Sequence, residues 1–531
     1  MVIAMAAYRF LGDVGDGKED SEGRPVSNLQ LAPGSSELLA DEELPPGHCS
    51  SPDDCVSGWH CRFGRCRRPV ASLKMFDECS YSDECAVGTA CRESRCRPLR
   101  RVRTSPEYQS AGSDWPQFRG PGRNAVSPEV GLLRTWTTGG PPILWRAELL
   151  GLGFGHPAIA NGRVYVMGMH GTEGRVTALD LDGRAQWQIP YGPEWRGGFG
   201  RGARQTPTVD AGKLFVASGH GSLSALDAES GERLWQQDLF GEEKSAIPRD
   251  GYADAPLVLD DKVIALVGSE SRLAVAYSTM TGQLVWATPG DSSQNAYGAL
   301  ISLRVGDRQL VAGMVQQGLV AIDAQTGELL WLDSIPELTK PPWGDGPQRT
   351  FASPPIYRDG ELVRTLIDFE LGTRVGSRMV RLDPTTMQRE TVWGQPLFGV
   401  HYGGAACWKD TLYGVTSFDR RPVESDQKDP QVALVAVDWA TGEVVGELAF
   451  KEIGKAPLII ADGLIIAYGD KGTVVLVEVD GGTMNIAGSF QVNFGFGHHI
   501  SYPALSDGVL YVRHHETMTA YDIRQADGPE Q

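Results

Sequence analysis

The chain has 531 residues, a net charge of −18 and 41% hydrophobic residues, a composition typical of a folded globular protein. A chain of this length is too long to fold around one ordinary hydrophobic core, so several domains or one large repeat architecture is expected. The acidic balance argues against a nucleic-acid-binding function, because such affinity depends on clustered Lys and Arg against phosphates.

Residues 1–48 are interpreted as a truncated export signal or anchor followed by a disordered tether. The start, MVIAMAAYRFLG, lacks a basic region before its short apolar stretch, although Ala4-Met5-Ala6 fits a cleavage motif. Residues 13–48 hold too few large apolar side chains to become ordered. A disordered cytoplasmic start is the alternative. No later segment has an 18-residue uncharged apolar run, so no membrane span is expected in the mature chain.

Eight of the nine cysteines lie in two copies of the pattern C-x5-C-x5-C-x4-C, at residues 49–66 and 79–96. They are Cys49, Cys55, Cys61 and Cys66, and then Cys79, Cys85, Cys91 and Cys96. A zinc site would favour close C-x2-C pairs with histidines, and only His60 is near. Disulfides are the better interpretation, because so short a module cannot bury enough apolar surface to fold without them. Three disulfide pairings within each module remain open. Because disulfides persist in oxidising compartments, the predicted location is periplasmic, outer-membrane-associated or secreted.

A basic linker, residues 97–112, follows the second module and begins RPLRRVR. Clustered arginines can contact anionic lipid or polysaccharide. A solvated linker beside an acidic domain is the favoured interpretation.

The region 113–525 repeats two phrases in step, and the 65 glycines of the chain indicate many tight turns. One phrase is a strand, an acid, a Gly turn and a tryptophan, as in ALDAESGERLW (225–235) and AIDAQTGELLW (321–331). The other is a hairpin such as TPTVDAGKLFVAS (206–218). Eight copies of such a four-stranded unit predict an all-β fold, an eight-bladed β-propeller of antiparallel blades preceded by the small disulfide-rich modules.

The tryptophans that begin the outer strands are predicted to dock between blades, where a radial array is hardest to fill. They are Trp145, Trp187, Trp235, Trp286, Trp331 and Trp393. The last unit has no outer strand, whereas PPILWRAELL (141–150) is an outer strand without inner ones. Residues 143–149 are therefore predicted to complete the last blade and close the ring.

The repeat resembles the pyrroloquinoline-quinone (PQQ)-like β-propeller family, whose blades carry the phrase A-x-D-x-x-T-G-x-x-x-W. Ala225–Trp235 matches it with Ser230 at the Thr position, Ala321–Trp331 matches it throughout, and DWPQFRGPGRNAVSPE (114–129) is similar to the entry segment of bacterial members. The resemblance implies the fold over residues 113–525 but not one activity, since the family joins quinoprotein dehydrogenases to noncatalytic propellers such as the barrel-assembly lipoprotein. The cysteine modules resemble Dickkopf-type or EGF-type repeats.

The resemblance to quinoprotein dehydrogenases implies a quinone over a Trp floor beneath two neighbouring cysteines, with calcium held by Glu, Asn and Asp, and an Asp base. This propeller has only Cys407, and no motif allows the calcium ligands to be carried over. Four acidic residues fall in loops that are candidates for the border of the axis, although acidic residues in loops are usually only solvated. They are Asp250, Asp254, Asp291 and Asp345. No nucleophile elbow, P-loop or H-E-x-x-H motif occurs. We expect no catalytic residue, no metal and no cofactor.

Glycine-rich loops that enter the inner strands carry side chains suited to binding at the channel mouth. These are His156, Arg201, Arg204, Tyr252, His401, Tyr402, His498 and His499. A metal held by the separated histidines, and polar loops that satisfy only their own backbone, are the alternatives. The sequence thus favours an exported, monomeric, noncatalytic binding or assembly scaffold of the bacterial cell envelope, binding an envelope protein or small ligand. A PQQ-dependent and calcium-dependent quinoprotein oxidoreductase is the alternative.

Overall fold

The structure, a computed structural model, describes residues 113–525 except 198–199, 291–294, 336–351, 367–375, 417–431 and 451–452, together with four short strands between residues 60 and 98. These four are β1 (His60–Arg62), β2 (Arg65–Arg67), β3 (Thr89–Arg92) and β4 (Arg95–Pro98). They form two separate antiparallel hairpins, with Cys61 opposite Cys66 and Cys91 opposite Cys96 in the backbone register. The predicted tether, the first two cysteines of each module and most of the basic linker lie outside the described residues.

The remaining 32 strands form eight four-stranded antiparallel sheets, which confirms the predicted eight-bladed propeller. The first strands of blades 1 to 4 contact one another in turn, as do those of blades 6 and 7, which is the arrangement of strands that line a central axis. In the part of the chain that the structure describes, no helix is long and apolar enough to span a membrane. A single turn of 3-10 helix occurs at Lys244–Ala246.

Blades 1 to 4 follow the chain from the inner to the outer strand. Blade 1 consists of β6 (Ala158–Ala160), β7 (Arg163–His170), β8 (Glu173–Asp180) and β9 (Ala185–Pro193). Blade 2 consists of β10 (Thr208–Asp210), β11 (Lys213–Ala217), β12 (Ser222–Asp227) and β13 (Arg233–Asp238). Blade 3 consists of β14 (Leu257–Leu259), β15 (Lys262–Leu266), β16 (Arg272–Ser278) and β17 (Leu284–Pro289). Blade 4 consists of β18 (Asn295–Val305), β19 (Arg308–Val315), β20 (Gly318–Asp323) and β21 (Leu329–Ser334).

Blades 5 to 7 repeat this order, and blade 8 takes its outer strand from the beginning of the propeller. Blade 5 consists of β22 (Ile356–Arg358), β23 (Glu361–Leu366), β24 (Gly376–Leu382) and β25 (Arg389–Gln395). Blade 6 consists of β26 (Ala406–Trp408), β27 (Thr411–Thr416), β28 (Val432–Asp438) and β29 (Val444–Phe450). Blade 7 consists of β30 (Leu458–Ala461), β31 (Leu464–Tyr468), β32 (Thr473–Asp480) and β33 (Thr483–Gln491). Blade 8 consists of β34 (Ala504–Ser506), β35 (Val509–His514), β36 (Thr517–Asp522) and β5 (Ile143–Ala147).

The ring is closed by β5, as the sequence predicts. It pairs antiparallel with β36, placing Ile143 opposite Tyr521 and Trp145 opposite Ala520. The strand ends two residues earlier than the predicted segment 143–149. Leu149 has φ +67°, a left-handed conformation that a strand cannot continue.

Five of the six predicted tryptophans make the same contact with the following blade. Each indole Nε1–H donates to a backbone carbonyl in that blade's Gly turn, at 2.7–3.1 Å. The donor and acceptor pairs are Trp145 with Leu181, Trp187 with Glu229, Trp235 with Thr279, Trp286 with Ala324, and Trp393 with Trp439. The ring also covers the turn glycine, and a Cβ built at Gly231 would lie 2.9 Å from the indole of Trp187.

The interface between blades 4 and 5 differs, because Met387 occupies the glycine position with φ +58°. The Nε1–H of Trp331 has no hydrogen-bond acceptor among the described residues, and the Arg389 guanidinium lies 5.4 Å from the indole centroid instead. Arg389 also contacts the buried carboxylate of Asp333 at 3.0 Å, and Arg364 approaches it at 3.5 Å. Charged groups here replace the indole and glycine contact.

Glycine takes the tryptophan position in the outer strands of blades 6 and 7. A Cβ built at Gly446 would lie 2.1 Å from the Gly482 carbonyl oxygen of blade 7, so the two backbones are in direct contact. At Gly488 the neighbour is Trp136, which comes from the segment before β5 and packs on Phe490 with ring centroids 5.6 Å apart. The interface between blades 7 and 8 is thus filled by a tryptophan from outside the repeat.

The segment 113–134 occupies the central channel. Trp115 exchanges two backbone hydrogen bonds with Ile159 of blade 1, and Ala125 and Ser127 bond Ile460 of blade 7. Both ends of the segment contact the turns between first and second strands, where Asp114 accepts from Asn161 N–H at 3.4 Å and Glu129 accepts from Asp507 N–H at 2.9 Å. We call residues 113–134 the plug.

Two fully buried arginines fix the plug across the axis. Arg123 donates to the carbonyls of Leu300 at 2.9 Å and of Ala255 and Pro256 at 3.1 Å. Arg119 donates to the carbonyl of Ala405. Backbone carbonyls at the axis need donors that water cannot supply there, so these guanidinium groups join blades 3, 4 and 6 to one segment.

The indole and glycine contact predicts unequal costs for two substitutions in blade 2. Gly212 and Gly231 have φ +75° and +77°, but a Cβ at Gly212 meets nothing within 4 Å. Gly212→Ala should cost about 1 kcal/mol of backbone strain, and Gly231→Ala should cost about 1–3 kcal/mol more because the methyl group collides with Trp187. Thermal unfolding of both variants measures the difference, and equal losses would contradict the docking role of the indole.

Candidate functional site

A cavity of about 450 Å³ lies at the channel mouth, on the side where the chain enters the innermost strands. Every blade contributes to its wall from the residues before or at the start of its inner strand. In blade order these are His156, Thr206, Ala255, Ala299, Ala352, Tyr402, Lys455 and Ile500. The plug contributes Phe118, so the cavity is closed on the axial side by the chain itself.

Five of the eight predicted mouth residues line this cavity. They are His156, Arg204, His401, Tyr402 and His498. Arg201 is exposed and is not part of the lining.

The structure places the other two predicted mouth residues in packing positions. Tyr252 is buried and meets Phe240 edge to face, with centroids 5.9 Å apart. His499 lies 3.6 Å from His514 in a stacked pair, and its Nδ1 is 2.7 Å from the Tyr468 hydroxyl.

The sequence reasoning missed Phe118, Arg249, Tyr297, Lys455 and Tyr502. Tyr502 carries a signal that aligning the repeats would have found. It directly precedes the proline before an inner strand, as His156, Thr206 and Ala255 do, and all four line the cavity. Phe118 carries no comparable signal, because the plug lies outside the repeat.

His156 is a neutral, fully engaged part of the cavity floor. Its Nε2 accepts from the Arg119 backbone N–H at 3.3 Å, so its Nδ1–H donates to the Pro157 carbonyl at 2.9 Å. Burial lowers the pKa of His156 to about 4, and the positive charges of Arg123, Arg119 and Arg513 act in the same direction. With both ring nitrogens occupied, His156 is unsuited to metal ligation.

Aromatic groups form a rigid floor around His156. Phe118 stacks on the imidazole with centroids 5.4 Å apart and meets Tyr502 edge to face at 5.0 Å. The Tyr502 hydroxyl accepts from Gly403 N–H at 2.8 Å, and Tyr402 donates to the Lys455 carbonyl at 3.1 Å. Such aromatic side chains provide large contact area with little conformational freedom to lose on binding.

The walls carry charges of both signs. Arg204 donates to the Asp250 carbonyl at 2.7 Å and lies over Phe154, 5.3 Å from the ring centroid. Arg249, more exposed, contacts the Asp250 carboxylate at 3.4 Å. Burial lowers the pKa of Lys455, and the charge of Asp470 opposes that shift. The lining therefore combines aromatic rings with three cations and two carboxylates.

The lining does not match the donor set of a calcium and quinone site. Within the described residues no group of three or more His, Cys, Asp or Glu side chains can hold a metal ion. No tryptophan lines the cavity, and Cys407 lies in β26, away from it, 3.9 Å from Arg358. Asp254 is buried beside Asn295, whose side-chain amide donates to it at 2.6 Å, while Asp291 and Asp345 lie outside the described residues.

The chain is thus an eight-bladed propeller with the plug in its central channel and an aromatic and charged cavity at the channel mouth. A family profile described as outer membrane protein assembly factor BamB matches residues 116–194 and 172–341. A BamB of Shewanella oneidensis is 31% identical over 142 residues, which cover 26% of this chain and 34% of that protein.

Quinoproteins are also similar to the chain. The quinoprotein alcohol dehydrogenase PedH of Pseudomonas putida is 24% identical over 162 residues, covering 28% of this chain and 25% of PedH. The crystal structure of the quinohemoprotein alcohol dehydrogenase of Comamonas testosteroni superimposes with a TM-score of 0.53 at 15% identity, covering 79% of this chain and 82% of that structure. The chain matches 34% of the length of the Shewanella BamB and 25% of the length of PedH. The comparisons support the PQQ-like propeller family without deciding an activity.

A buried carboxyl behind the wall predicts a pH dependence of stability. Glu194 accepts from the Tyr191 hydroxyl and from the backbone N–H of Gly219 at 3.0 Å, and burial raises its pKa to about 7. Because the folded-state pKa lies above the unfolded value near 4.5, this group's stabilisation is complete below pH 4.5 and is lost as pH rises through 7. Between pH 4.5 and 8 the free energy of unfolding should therefore fall by about 3 kcal/mol less in Glu194→Gln than in the parent.

Thermal unfolding between pH 4.5 and 8 measures this effect as the difference between variant and parent. The exposed Glu232→Gln, in a turn of blade 2, is the matched control and should follow the parent curve. Parallel curves for the parent and Glu194→Gln would show that Glu194 is ionised in the folded protein throughout this range.

Proposed function

We propose that the protein is a noncatalytic propeller of the bacterial cell envelope that binds a partner protein at its channel mouth and acts in assembly. The mouth cavity is the observation that carries this proposal. It draws one or more residues from every blade and is lined by aromatic and basic side chains, the types that contribute most to protein interfaces.

The plug supports a binding role. A segment held by Arg119 and Arg123 gives the cavity a fixed floor, so little ordering entropy is lost when a partner inserts a loop there. It also fills the axis below Phe118 and His156 with protein. A rigid receptor whose floor is formed by the chain itself fits a protruding side chain or loop better than it fits a large cofactor buried in the axis.

The proposed location rests on two independent observations. The cysteine pattern of residues 49–96 favours an oxidising compartment. The similar proteins include an outer membrane assembly factor of Shewanella oneidensis. Together they favour the periplasm or the outer membrane surface facing it.

Site-specific photocrosslinking in envelope preparations tests the mouth. A photoreactive residue replaces His498 or the exposed Arg249, which line the cavity before the inner strands of blades 8 and 3. Ile486 on the outer strand β33, 54% exposed, is the control position. We expect one and the same envelope protein to be crosslinked from positions 498 and 249 and not from 486. Crosslinking of that protein from 486 alone would move the interface to the propeller rim.

Similarity to PedH and the Comamonas enzyme favours a second candidate, a quinoprotein oxidoreductase. Reconstitution of the purified chain with PQQ and calcium, followed by absorbance and dye-linked alcohol oxidation, separates the two candidates. We expect no saturable quinone uptake, because the lining lacks a tryptophan floor and a cluster of acidic ligands. Stoichiometric uptake with turnover would establish the oxidoreductase and refute the noncatalytic proposal.

A further inference from the structure

The two cysteine hairpins share one backbone register. In the first, Cys61 is opposite Cys66 and Arg62 is opposite Arg65. In the second, 30 residues later, Cys91 is opposite Cys96 and Arg92 is opposite Arg95. Each hairpin also has an arginine directly after its second cysteine, at positions 67 and 97. The shared pattern is Cys-Arg-x-x-Arg-Cys-Arg.

The register separates the arginines from the cysteines. Residues opposite each other in an antiparallel pair share a face of the sheet, and neighbours along a strand alternate between faces. The paired cysteine positions therefore lie on one face of each hairpin. The three arginine positions lie on the other face, at residues 62, 65 and 67 and at residues 92, 95 and 97.

The hairpin fold does not by itself require these arginines. Like charges at directly opposed positions destabilise an antiparallel pair, yet both copies place arginine opposite arginine. The residues between them differ completely, Phe63-Gly64 in one copy and Glu93-Ser94 in the other. An anion bound by two arginines at once offsets the repulsion between their charges, and arginine binds phosphate through two parallel hydrogen bonds.

The charge distribution along the chain points the same way. Residues 60–103 contain eleven Lys and Arg and five Asp and Glu, in a chain whose net charge is −18. Residues 60–103 are thus a basic stretch that follows an acidic one, since residues 1–59 contain three Lys and Arg and eleven Asp and Glu. Two similar basic faces separated by about 30 residues suit an extended surface with many phosphates, because simultaneous contacts strengthen each other.

We propose that the two hairpins form a tandem binding site for phosphate headgroups of an anionic lipid surface, with Arg62, Arg65 and Arg67 in one hairpin and Arg92, Arg95 and Arg97 in the other. The site holds the chain against the membrane surface without crossing it. This proposal does not depend on the mouth of the propeller, and the two are tested separately.

Flotation of the full chain with lipid vesicles tests the proposal. We expect binding to vesicles of phosphatidylcholine mixed with phosphatidylglycerol, no binding to phosphatidylcholine alone, and release by salt. Replacing the three arginines of either hairpin by glutamine should weaken binding roughly 100-fold, at about fivefold per arginine. The matched control removes three exposed propeller arginines by Arg184→Gln, Arg233→Gln and Arg381→Gln, and it should bind like the parent.

Three further measurements show whether a loss of binding is due to the arginines of the hairpins. The corresponding Arg→Lys triples keep the charge and should bind more tightly than the glutamine triples but less tightly than the parent, because lysine does not bind phosphate through two parallel hydrogen bonds. Counting free thiols in unreduced, denatured protein should give the same number for parent and variants if the modules form normally. Unchanged crosslinking from position 498 in the glutamine triples separates this site from the mouth.

Three outcomes would overturn the proposal. The first is equal binding by the hairpin triples and the propeller control. The second is displacement from vesicles by inorganic phosphate beyond that caused by chloride at equal ionic strength, which would identify free phosphate as the ligand. The third is loss of retention on a heparin resin in the hairpin triples without any vesicle binding by the parent, which would assign the face to a sulfated polysaccharide.

Discussion

The structure depends on filling the wedge between neighbouring sheets with an indole ring laid over a turn glycine. Eight separate sheets bury their faces only against one another, so each interface must be closed for the ring to exclude water. The tryptophan provides area and one hydrogen-bond donor, and the glycine provides a left-handed turn without a Cβ in the way. Trp145 makes this contact between blade 8 and blade 1, where the beginning and the end of the propeller meet. The same interaction that joins neighbouring blades therefore also closes the ring.

Some interfaces between blades lack the indole and glycine contact, and other groups take its place there. Between blades 4 and 5, Met387 stands at the position of the turn glycine, and Arg364 and Arg389 contact the carboxylate of Asp333 instead. Between blades 7 and 8, Trp136 from outside the repeat fills the space. The axis poses a related problem, because carbonyls converge where no water or strand can serve them. Arg119 and Arg123 supply the donors, at the cost of two buried charges.

Repetition explains why the fold was predictable and the site only partly so. Residues such as Gly231 and Trp235 recur at fixed offsets, so blade number, strand order and ring closure follow from the printed sequence. A mouth residue, by contrast, is defined by convergence of eight loops in space. Tyr252 has the right composition around it but points into the packing beside Phe240, whereas Phe118 comes from a segment with no repeat at all. Side-chain direction in irregular loops depends on neighbours that no local pattern specifies.

The arrangement separates two kinds of recognition. The mouth offers rigid aromatic surface with charges of both signs, which favours a shaped partner over a merely charged one. The hairpins offer positive charge in a repeated register, which favours a surface of repeated negative groups over a shaped one. A strongly acidic propeller is repelled from an anionic surface, so a basic element before it would hold the acidic body close without letting it adhere. If the hairpins bind a membrane surface as proposed, this repulsion keeps the propeller from adhering and leaves the mouth accessible to a partner.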